Sequence, residues 1–303
     1  MKKHFKKASI WLKAARLRTL PLALAVSFVG NLTASYSPHF QWNIVFLSVL
    51  TTLLLQILSN FANDLGDSIH GADHVSRKGP MRTVQSGELT KDEMGMAVKL
   101  LGILSLLSGL ALLWISFHYD WSKSIPILGI GLLAIVAAYL YTNGPKPYGY
   151  QALGDISVFV FFGFVAVCGT QYLHLGQVEF SSIWPSLAMG CWSTAVLNIN
   201  NMRDIDSDKI AGKETIPTRI GLENAKRYHF ILIAIGTFSL IYFGILQSDL
   251  TFWASIPGLF LILKCTIAIA KTRLSEDLDK FLKPQALGTF IVVICVILLK
   301  LFA

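Results

Sequence analysis

The sequence predicts an all-α membrane protein, a bundle of nine transmembrane helices in two similar halves around a central cavity. Three observations support this fold class. Of the 303 residues, 53% are hydrophobic and only 15% are charged, whereas soluble domains average about 25% charged residues. The mean hydropathy is +0.57. The apolar residues are concentrated in runs of about 20, the length that crosses the hydrocarbon core of a bilayer.

Nine apolar segments are long enough to span a bilayer and leave no room for a soluble domain, so residues 1–303 are predicted to form one transmembrane domain. The first segment follows a basic N-terminal stretch, and no small-residue cleavage site comes after it. We therefore interpret it as a membrane helix and not as a signal peptide. The predicted spans are 20–36, 43–62, 95–117, 124–142, 154–173, 182–200, 228–247, 250–270 and 285–302.

The basic residues are distributed unevenly between the two sides of this bundle. With the N-terminus in the cytoplasm, the N-terminal arm and the connections after the even-numbered spans carry nearly all lysines and arginines. The opposite face carries only Lys123 in a loop and Lys300 near the C-terminus. This asymmetry follows the positive-inside rule and predicts a multi-pass protein of the inner or plasma membrane with a cytoplasmic N-terminus. It also explains the net charge of +8 without a nucleic-acid partner.

Two acidic motifs follow apolar segments on the predicted cytoplasmic face. The first contains Asp64 and Asp67, and the second contains Asp204 and Asp208. Aligned on the asparagine that begins each motif, they form a weak internal repeat, which suggests two similar halves. Since residues three or four apart share one face of a helix, the two carboxylates of each motif converge.

Converging carboxylates repel one another unless a cation lies between them. Mg²⁺ is the usual hard cation that carboxylates share with phosphate oxygens, so the motifs predict a Mg²⁺ site. The alternative is a set of solvated aspartates at helix ends. Two matched clusters at the membrane boundary favour the metal site, because ionisable residues there are usually functional.

Basic residues are interleaved with these acids. Arg77, Lys78 and Arg82 follow the first motif, and Lys213 and Arg219 follow the second. Arginine and lysine bind phosphate, so acids for Mg²⁺ beside bases for phosphate indicate a diphosphate site. Each base taken singly could equally bind an anionic lipid headgroup, and the sequence leaves both interpretations open.

Two further polar segments lie on the same face. The stretch 141–150 places Lys146 and Tyr148 among aromatic and turn residues. It could contact phosphate or a second substrate, or form an interfacial aromatic belt, and the sequence favours neither. The segment from Thr90 to Glu93 reads as a capping box, which predicts the start of a helix.

These motifs together resemble the UbiA superfamily of intramembrane aromatic prenyltransferases. The similarity is greatest to the branch that prenylates 1,4-dihydroxy-2-naphthoate in menaquinone synthesis. The resemblance rests on Asn63-Asp64-x-x-Asp67, on Asp204-x-x-x-Asp208, and on the stretches 15–21, 79–87, 146–150, 197–204 and 212–215.

One departure from the wider superfamily narrows the resemblance. Where ubiquinone-type members have an aspartate four residues beyond Asp67, this chain has Gly71, followed by Asp73, and the naphthoate branch shares this shift. The resemblance implies transfer of a polyprenyl group from an all-trans polyprenyl diphosphate to 1,4-dihydroxy-2-naphthoate. CO₂ is lost, and the products are demethylmenaquinol and diphosphate. Prenylation of another aromatic acceptor is the alternative.

The resemblance and the motifs together assign the residues of a predicted site. Its Mg²⁺ ligands and catalytic residues are Asp64, Asp67, Asp204 and Asp208, with Lys146 as a further catalytic residue. Its substrate-binding residues are Asn63, Arg82, Tyr148, Arg203 and Lys213. The expected partners are the two substrates and the lipid bilayer, with no obligatory protein partner.

Other classes of protein share single features of this pattern. A cation-coupled transporter needs polar groups near the membrane midplane, whereas these acids cluster at one face. A membrane phosphatidyltransferase also uses aspartates and a divalent metal, but its signature is absent and nine spans are too many. Soluble prenyl-diphosphate synthases have paired acidic motifs, and the hydropathy excludes them.

We expect the acidic and basic motifs to face the cytoplasm, and the loops near Pro38, Lys123, Gly176 and Asp249 to face the other side. Single cysteines at positions 85 and 176, in a chain freed of its four native cysteines, test this with a membrane-impermeant thiol reagent. Position 176 should react in intact cells, and position 85 only in inverted vesicles. Equal labelling of both positions from outside would contradict the orientation.

Overall fold

The apolar runs fold into long helices, because a helix satisfies its own backbone hydrogen bonds where lipid offers no partners. The structure is a computed structural model, and it describes residues 2–70, 81–118 and 120–302. The helices of the first half are α1 (Lys2–Ala14), α2 (Leu20–Ala34), α3 (Trp42–His70), α4 (Lys91–Phe117) and α5 (Trp121–Leu140). Those of the second half are α6 (Gly154–Val158), α7 (Ala166–Leu175), α8 (Ile183–Arg203), α9 (Ile205–Ile210), α10 (Ile216–Ile220), α11 (Leu222–Leu246), α12 (Ile256–Lys271) and α13 (Asp279–Phe302).

Eight helical segments within the described ranges are long and apolar enough to cross a membrane, so the chain is a multi-pass membrane protein. They coincide with eight of the predicted spans. The remaining predicted span, 182–200, corresponds to α8, whose 21 residues extend about 32 Å at 1.5 Å per residue. α8 is long enough but less apolar, since its last six residues include three asparagines and an arginine. The count of nine spans stays a prediction.

α2 and α8 form the interior of the bundle. α2 packs against α3, α7, α8 and α13, and α8 packs against α11 and α13. Nearly every residue of α2 from Leu22 to Ala34 is buried, and Trp192 of α8 has no exposed surface. By contrast, Ser124 is the one buried residue of α5. The outer helices therefore present their apolar side chains to lipid, while the inner pair holds the polar residues.

A π-helix, Phe159–Val165, joins α6 to α7 within one span. Such segments are rare and occur often at functional sites. Here Phe161 and Phe162 of the π-helix line the internal cavity described below. The irregular turn thus lies where the span borders the interior of the protein.

α1 precedes the first span and lies against the end of α3 that carries the first acidic motif. Trp11 packs on Phe61 with ring centroids 5.4 Å apart, and Lys13 lies 2.7 Å from Glu88 in the loop before α4. The chain turns between α1 and α2 at Arg16, which has a φ of 51° in the left-handed region. This turn brings the N-terminal arm over the same end of the bundle as the acidic motifs.

Three polar residues join helices at the opposite end of the bundle. The hydroxyl of Tyr36 donates a 2.6 Å hydrogen bond to Oδ2 of Asp249. Nζ of Lys300 donates to the same oxygen at 2.9 Å and lies 3.7 Å from the centroid of the Tyr36 ring. Burial alone would raise the pKa of Asp249, but hydrogen bonds from Thr251, Tyr36 and Lys300 outweigh burial and hold that pKa below its usual range. The cluster ties α2 and α13 to the α11–α12 connection.

We expect Lys300→Met to destabilise the folded protein by about 2 kcal/mol, because it removes a charge-assisted hydrogen bond and a cation–π contact. Lys123→Met is the matched control. Lys123 lies 3.6 Å from Asp120, and these side chains are 47% and 41% exposed; exposed pairs contribute about 0–1 kcal/mol. Thermal unfolding in detergent should show a lower midpoint for Lys300→Met than for the control. Equal midpoints would contradict a stabilising role for the cluster.

Candidate active site

The first acidic motif forms the last turns of α3, and its carboxylates are buried. Asp64 and Asp67 are each 2% exposed. Thr83, in the loop before α4, donates to Oδ2 of Asp64 from its backbone N at 3.2 Å and from Oγ1 at 2.6 Å. Oδ1 of Asp64 is buried and accepts no hydrogen bond from the described residues. A buried carboxylate oxygen is normally satisfied by a partner, so this atom is available to a bound cation.

Asp67 is held by a base and a phenol. Arg82 forms an ion pair with its Oδ2, and the hydroxyl of Tyr150 donates a 2.5 Å hydrogen bond to its Oδ1. Burial lowers the pKa of Arg82, while the carboxylates of Asp64 and Asp204 act in the opposite direction. One carboxylate from each motif therefore acts electrostatically on this guanidinium.

The third predicted stretch is fastened to the first motif through close backbone approach. A Cβ at Gly66 would lie 2.6 Å from the carbonyl carbon of Thr142, so glycine permits α3 to touch this segment. Oγ1 of Thr142 donates to Oδ1 of Asn63 at 3.2 Å, and Nδ2 of Asn143 donates to the carbonyl of Ala62 at 2.8 Å. These contacts hold the segment against α3, so that the side chain of Tyr150 reaches Asp67.

The second acidic motif ends α8 and continues into α9. The buried Arg203 donates to both oxygens of Asp204, from Nε at 2.8 Å and from Nη2 at 2.6 Å. Arg203 also pairs with Asp279 at the start of α13. Oδ1 of Asp208, on α9, lies 3.4 Å from Nζ of Lys213. Both carboxylates of this motif therefore have a positive charge beside them.

The carboxylates are not gathered around a common point in this structure. Among the described residues, no group of three or more Asp, Glu, His or Cys is arranged to hold a metal ion. Arg82, Arg203 and Lys213 instead form ion pairs with three of the four carboxylates. The donor set nevertheless fits Mg²⁺. It consists of the hard oxygen ligands that this ion prefers, and Oδ1 of Asp64 is buried without a partner.

A cavity of about 410 Å³ opens beside the two motifs. It extends along α3 from Asp67 to Ser48, a rise of about 28 Å at 1.5 Å per residue. Its polar end is lined by Arg16, Arg18, Asn60, Asn63, Asp67, Arg82, Asn200, Asn201 and Lys213. Its apolar walls include Leu106, Leu110, Leu113, Ile127, Leu128, Phe161, Phe162 and Leu173. The cavity thus combines a charged end for an anionic group with a long apolar compartment.

The predicted site residues occupy three kinds of position. The cavity wall includes Asn63, Asp67, Arg82, Tyr148 and Lys213. Asp64, Arg203, Asp204 and Asp208 are buried behind this wall. Lys146 is exposed and does not line the cavity, so its catalytic role stays a prediction. The predictions for Asp73, Arg77 and Lys78 fall outside the described residues.

Tyr148 faces the cavity with its ring and anchors its hydroxyl in the protein. The hydroxyl donates to the carbonyl of Ala137 at 2.9 Å and lies 3.0 Å from Oγ of Ser157. Burial raises the pKa of Tyr148. The residue therefore provides a neutral aromatic wall near the polar end.

Four residues beside the motifs were not predicted to belong to the site. Thr83 and Tyr150 lie inside stretches used for the family resemblance. Because they are next to Arg82 and close to Tyr148 in the sequence, they could have been predicted to belong to the site. Arg16 lines the cavity at the left-handed turn. Asp279 lies 76 residues from its partner Arg203, and no local pattern connects the two.

The chain is similar to known proteins along most of its length. The family model of the UbiA prenyltransferase family matches residues 23–295. A 1,4-dihydroxy-2-naphthoate octaprenyltransferase of Haemophilus influenzae is 43% identical over 241 residues, which are 79% of this chain and 78% of that protein. The protein of the same name from Escherichia coli is 46% identical over 223 residues, 74% of this chain and 72% of that protein.

Solved structures share the fold. A UbiA homolog from Aeropyrum pernix superposes with a TM-score of 0.70 at 17% identity, covering 94% of this chain and 99% of the other. A UbiA homolog from Archaeoglobus fulgidus bound to GPP and Mg²⁺ gives a TM-score of 0.63 at 18% identity, covering 95% and 99%. The predicted all-α membrane fold is confirmed.

Proposed function

This chain belongs to the UbiA prenyltransferase family, and on that premise we propose that it transfers a polyprenyl group from an all-trans polyprenyl diphosphate to 1,4-dihydroxy-2-naphthoate. The products are demethylmenaquinol, CO₂ and diphosphate, which makes this the prenylation step of menaquinone synthesis. The relatives with 43% and 46% identity are named for this activity. The structural observation that carries the proposal is the cavity with a charged end at two acidic motifs and apolar walls beyond.

The diphosphate binds at the charged end of the cavity. Arg82 and Lys213 line that end, and their cationic groups form charge-assisted hydrogen bonds to phosphate oxygens. Asp64, Asp67, Asp204 and Asp208 would hold a divalent metal, Mg²⁺, which would supply further positive charge for the departing diphosphate. This arrangement accounts for two ion pairs of the site, because Arg82 and Lys213 each exchange a carboxylate for a phosphate oxygen when the substrate binds.

The apolar walls protect the reacting carbon. When the C–O bond of the allylic diphosphate breaks, its electron pair leaves with the diphosphate, and an allylic cation forms. Leu110, Phe161 and Phe162 belong to a wall that excludes water, which would otherwise capture the cation. The carbon of the electron-rich naphthalene ring that bears the carboxylate then forms a bond to the cation. Loss of CO₂ then returns an electron pair to the ring and restores its aromaticity.

The site faces the cytoplasm in this proposal. The charge asymmetry of the sequence supports this orientation, and the basic α1 lies at the same end of the bundle as Arg82. A polar aromatic acid then reaches the charged end of the cavity from the aqueous side. The isoprenoid chain occupies the apolar compartment within the membrane.

We expect purified protein with Mg²⁺, a polyprenyl diphosphate and 1,4-dihydroxy-2-naphthoate to form a product with the mass of the prenylated, decarboxylated ring. EDTA and Asp208→Ala should abolish its formation. EDTA removes the metal ion and Asp208→Ala removes one of its ligands, so in both cases the positive charge that stabilises the departing diphosphate is lost. Asp206→Ala is the matched control, since Asp206 is exposed on the same short helix. A product formed only with 4-hydroxybenzoate would favour the alternative acceptor. Absence of product with every aromatic acid tested would overturn the proposed function.

The bases of the cavity wall give a second test. We expect Arg82→Ala and Lys213→Ala each to cost about 2–4 kcal/mol of transition-state stabilisation, which is about 30-fold to 900-fold in rate at 1.36 kcal/mol per factor of ten. Lys209→Ala, on the exposed side of α9, should leave the rate unchanged. Lys146→Ala is measured in the same series. Normal kcat and KM for this variant would show that Lys146 does not belong to the site. Near-normal turnover of both Arg82→Ala and Lys213→Ala would contradict their assignment to the diphosphate.

A further inference from the structure

A row of four charged side chains runs from the second acidic motif to the polar end of the cavity. Arg203 pairs with Asp204 and with Asp279. Asp279 also accepts a 3.3 Å hydrogen bond from Nη1 of Arg18, and Arg18 lines the cavity. Asp279 therefore lies between two arginines, and it belongs to neither acidic motif.

We propose that Asp279 is a positioning residue for the metal site. It orients Arg203 and offsets its charge, so that Asp204 keeps the negative charge needed to bind a divalent cation. This inference rests on the proposed function, which assigns Asp204 to the Mg²⁺ site.

The charges around Arg203 support this role. Its side chain is fully buried, whereas that of Asp204 is 4% exposed and that of Asp279 is 36% exposed. The row of Asp204, Arg203, Asp279 and Arg18 contains two carboxylates and two guanidiniums and so carries no net charge. Without the charge of Asp279, the row would carry one excess positive charge. A divalent cation binds less tightly beside a positive row than beside a neutral one.

The hydrogen bonds of Arg203 also fix its orientation. Its Nε and Nη2 bind Asp204, its Nη2 also donates to Oδ1 of Asn200 at 2.9 Å, and its Nη1 binds Asp279. Partners on three sides fix the plane of the guanidinium. Arg203 therefore holds both oxygens of Asp204 in one orientation.

A simpler role for Asp279 makes a different prediction. It is the first residue of α13, where an acidic side chain stabilises the helix through its dipole. That role affects stability and not metal affinity. Asp277 is the matched control, because it lies two residues earlier, is 51% exposed and pairs with Lys280 at 3.9 Å. Asp277→Asn removes the same charge from the same end of the bundle without touching Arg203.

The test measures Mn²⁺ binding to the purified full-length protein by electron paramagnetic resonance, without substrate. We expect Asp279→Asn to raise the Kd for Mn²⁺ about tenfold, the lower end of what changes behind a metal ligand cause. Asp277→Asn should bind like the unaltered protein, and Asp279→Glu should recover most of the affinity. In the prenyl-transfer assay, Asp279→Asn should need more Mg²⁺ for half-maximal rate and approach normal kcat at saturating Mg²⁺.

Arg18→Gln gives an outcome of the opposite sign. It frees Asp279 to act on Arg203 alone, so this variant should bind Mn²⁺ at least as tightly as the unaltered protein. Weaker binding by Arg18→Gln, or equal Kd values for Asp279→Asn and Asp277→Asn, would overturn the proposal. If Asp279→Asn fails to fold, Arg18→Gln and Asp279→Glu still decide it. Failure of prenyl transfer with intact Mn²⁺ binding would count against the proposed function alone.

Discussion

Carboxylates buried at one end of an apolar bundle need positive charge beside them, and the structure of the site follows from how that need is met. Arg82 comes from the loop before α4, Arg203 from the end of α8, and Lys213 from the segment after α9. Each base therefore fixes a different piece of chain over the same end of the helices. The ion pairs that compensate the acids also assemble the cavity rim. A substrate with two phosphates and a metal can take over both halves of the pairs made by Arg82 and Lys213, which line the cavity.

Much of the fold could be predicted, because the patterns that specify it are local. Apolar runs gave the positions of the long helices, and the capping box at Thr90 and Glu93 begins α4 as expected. Helical spacing placed Asp64 and Asp67 together in one buried region. The span count was harder, because α8 is enclosed by protein and so does not need an apolar surface all round.

The parts of the site that escaped prediction depend on contacts between distant segments. Asp279 reaches Arg203 across 76 residues, and nothing in the last span marks it as different from other acids at helix starts. The sequence pattern also does not show in which direction a loop side chain points. Lys146 lies in a stretch that resembles the family, and yet its side chain is exposed. Lys264, in the middle of α12, is exposed, and a long lysine side chain at such a position can extend toward the membrane interface.

The polar C-terminal end of α8 has a consequence for how the protein is made. α8 ends in Arg203 after three asparagines, and ionisable residues at such a position in a membrane protein pair with other groups of the protein. The helices that enclose it, α11 and α13, are synthesised later, and Arg203 finds Asp279 only when α13 arrives. We therefore expect α8 to reach its final packing only after the helices that follow it have been made. The contact of Arg203 with Asp279 beside the second acidic motif can form only once α13 has been synthesised.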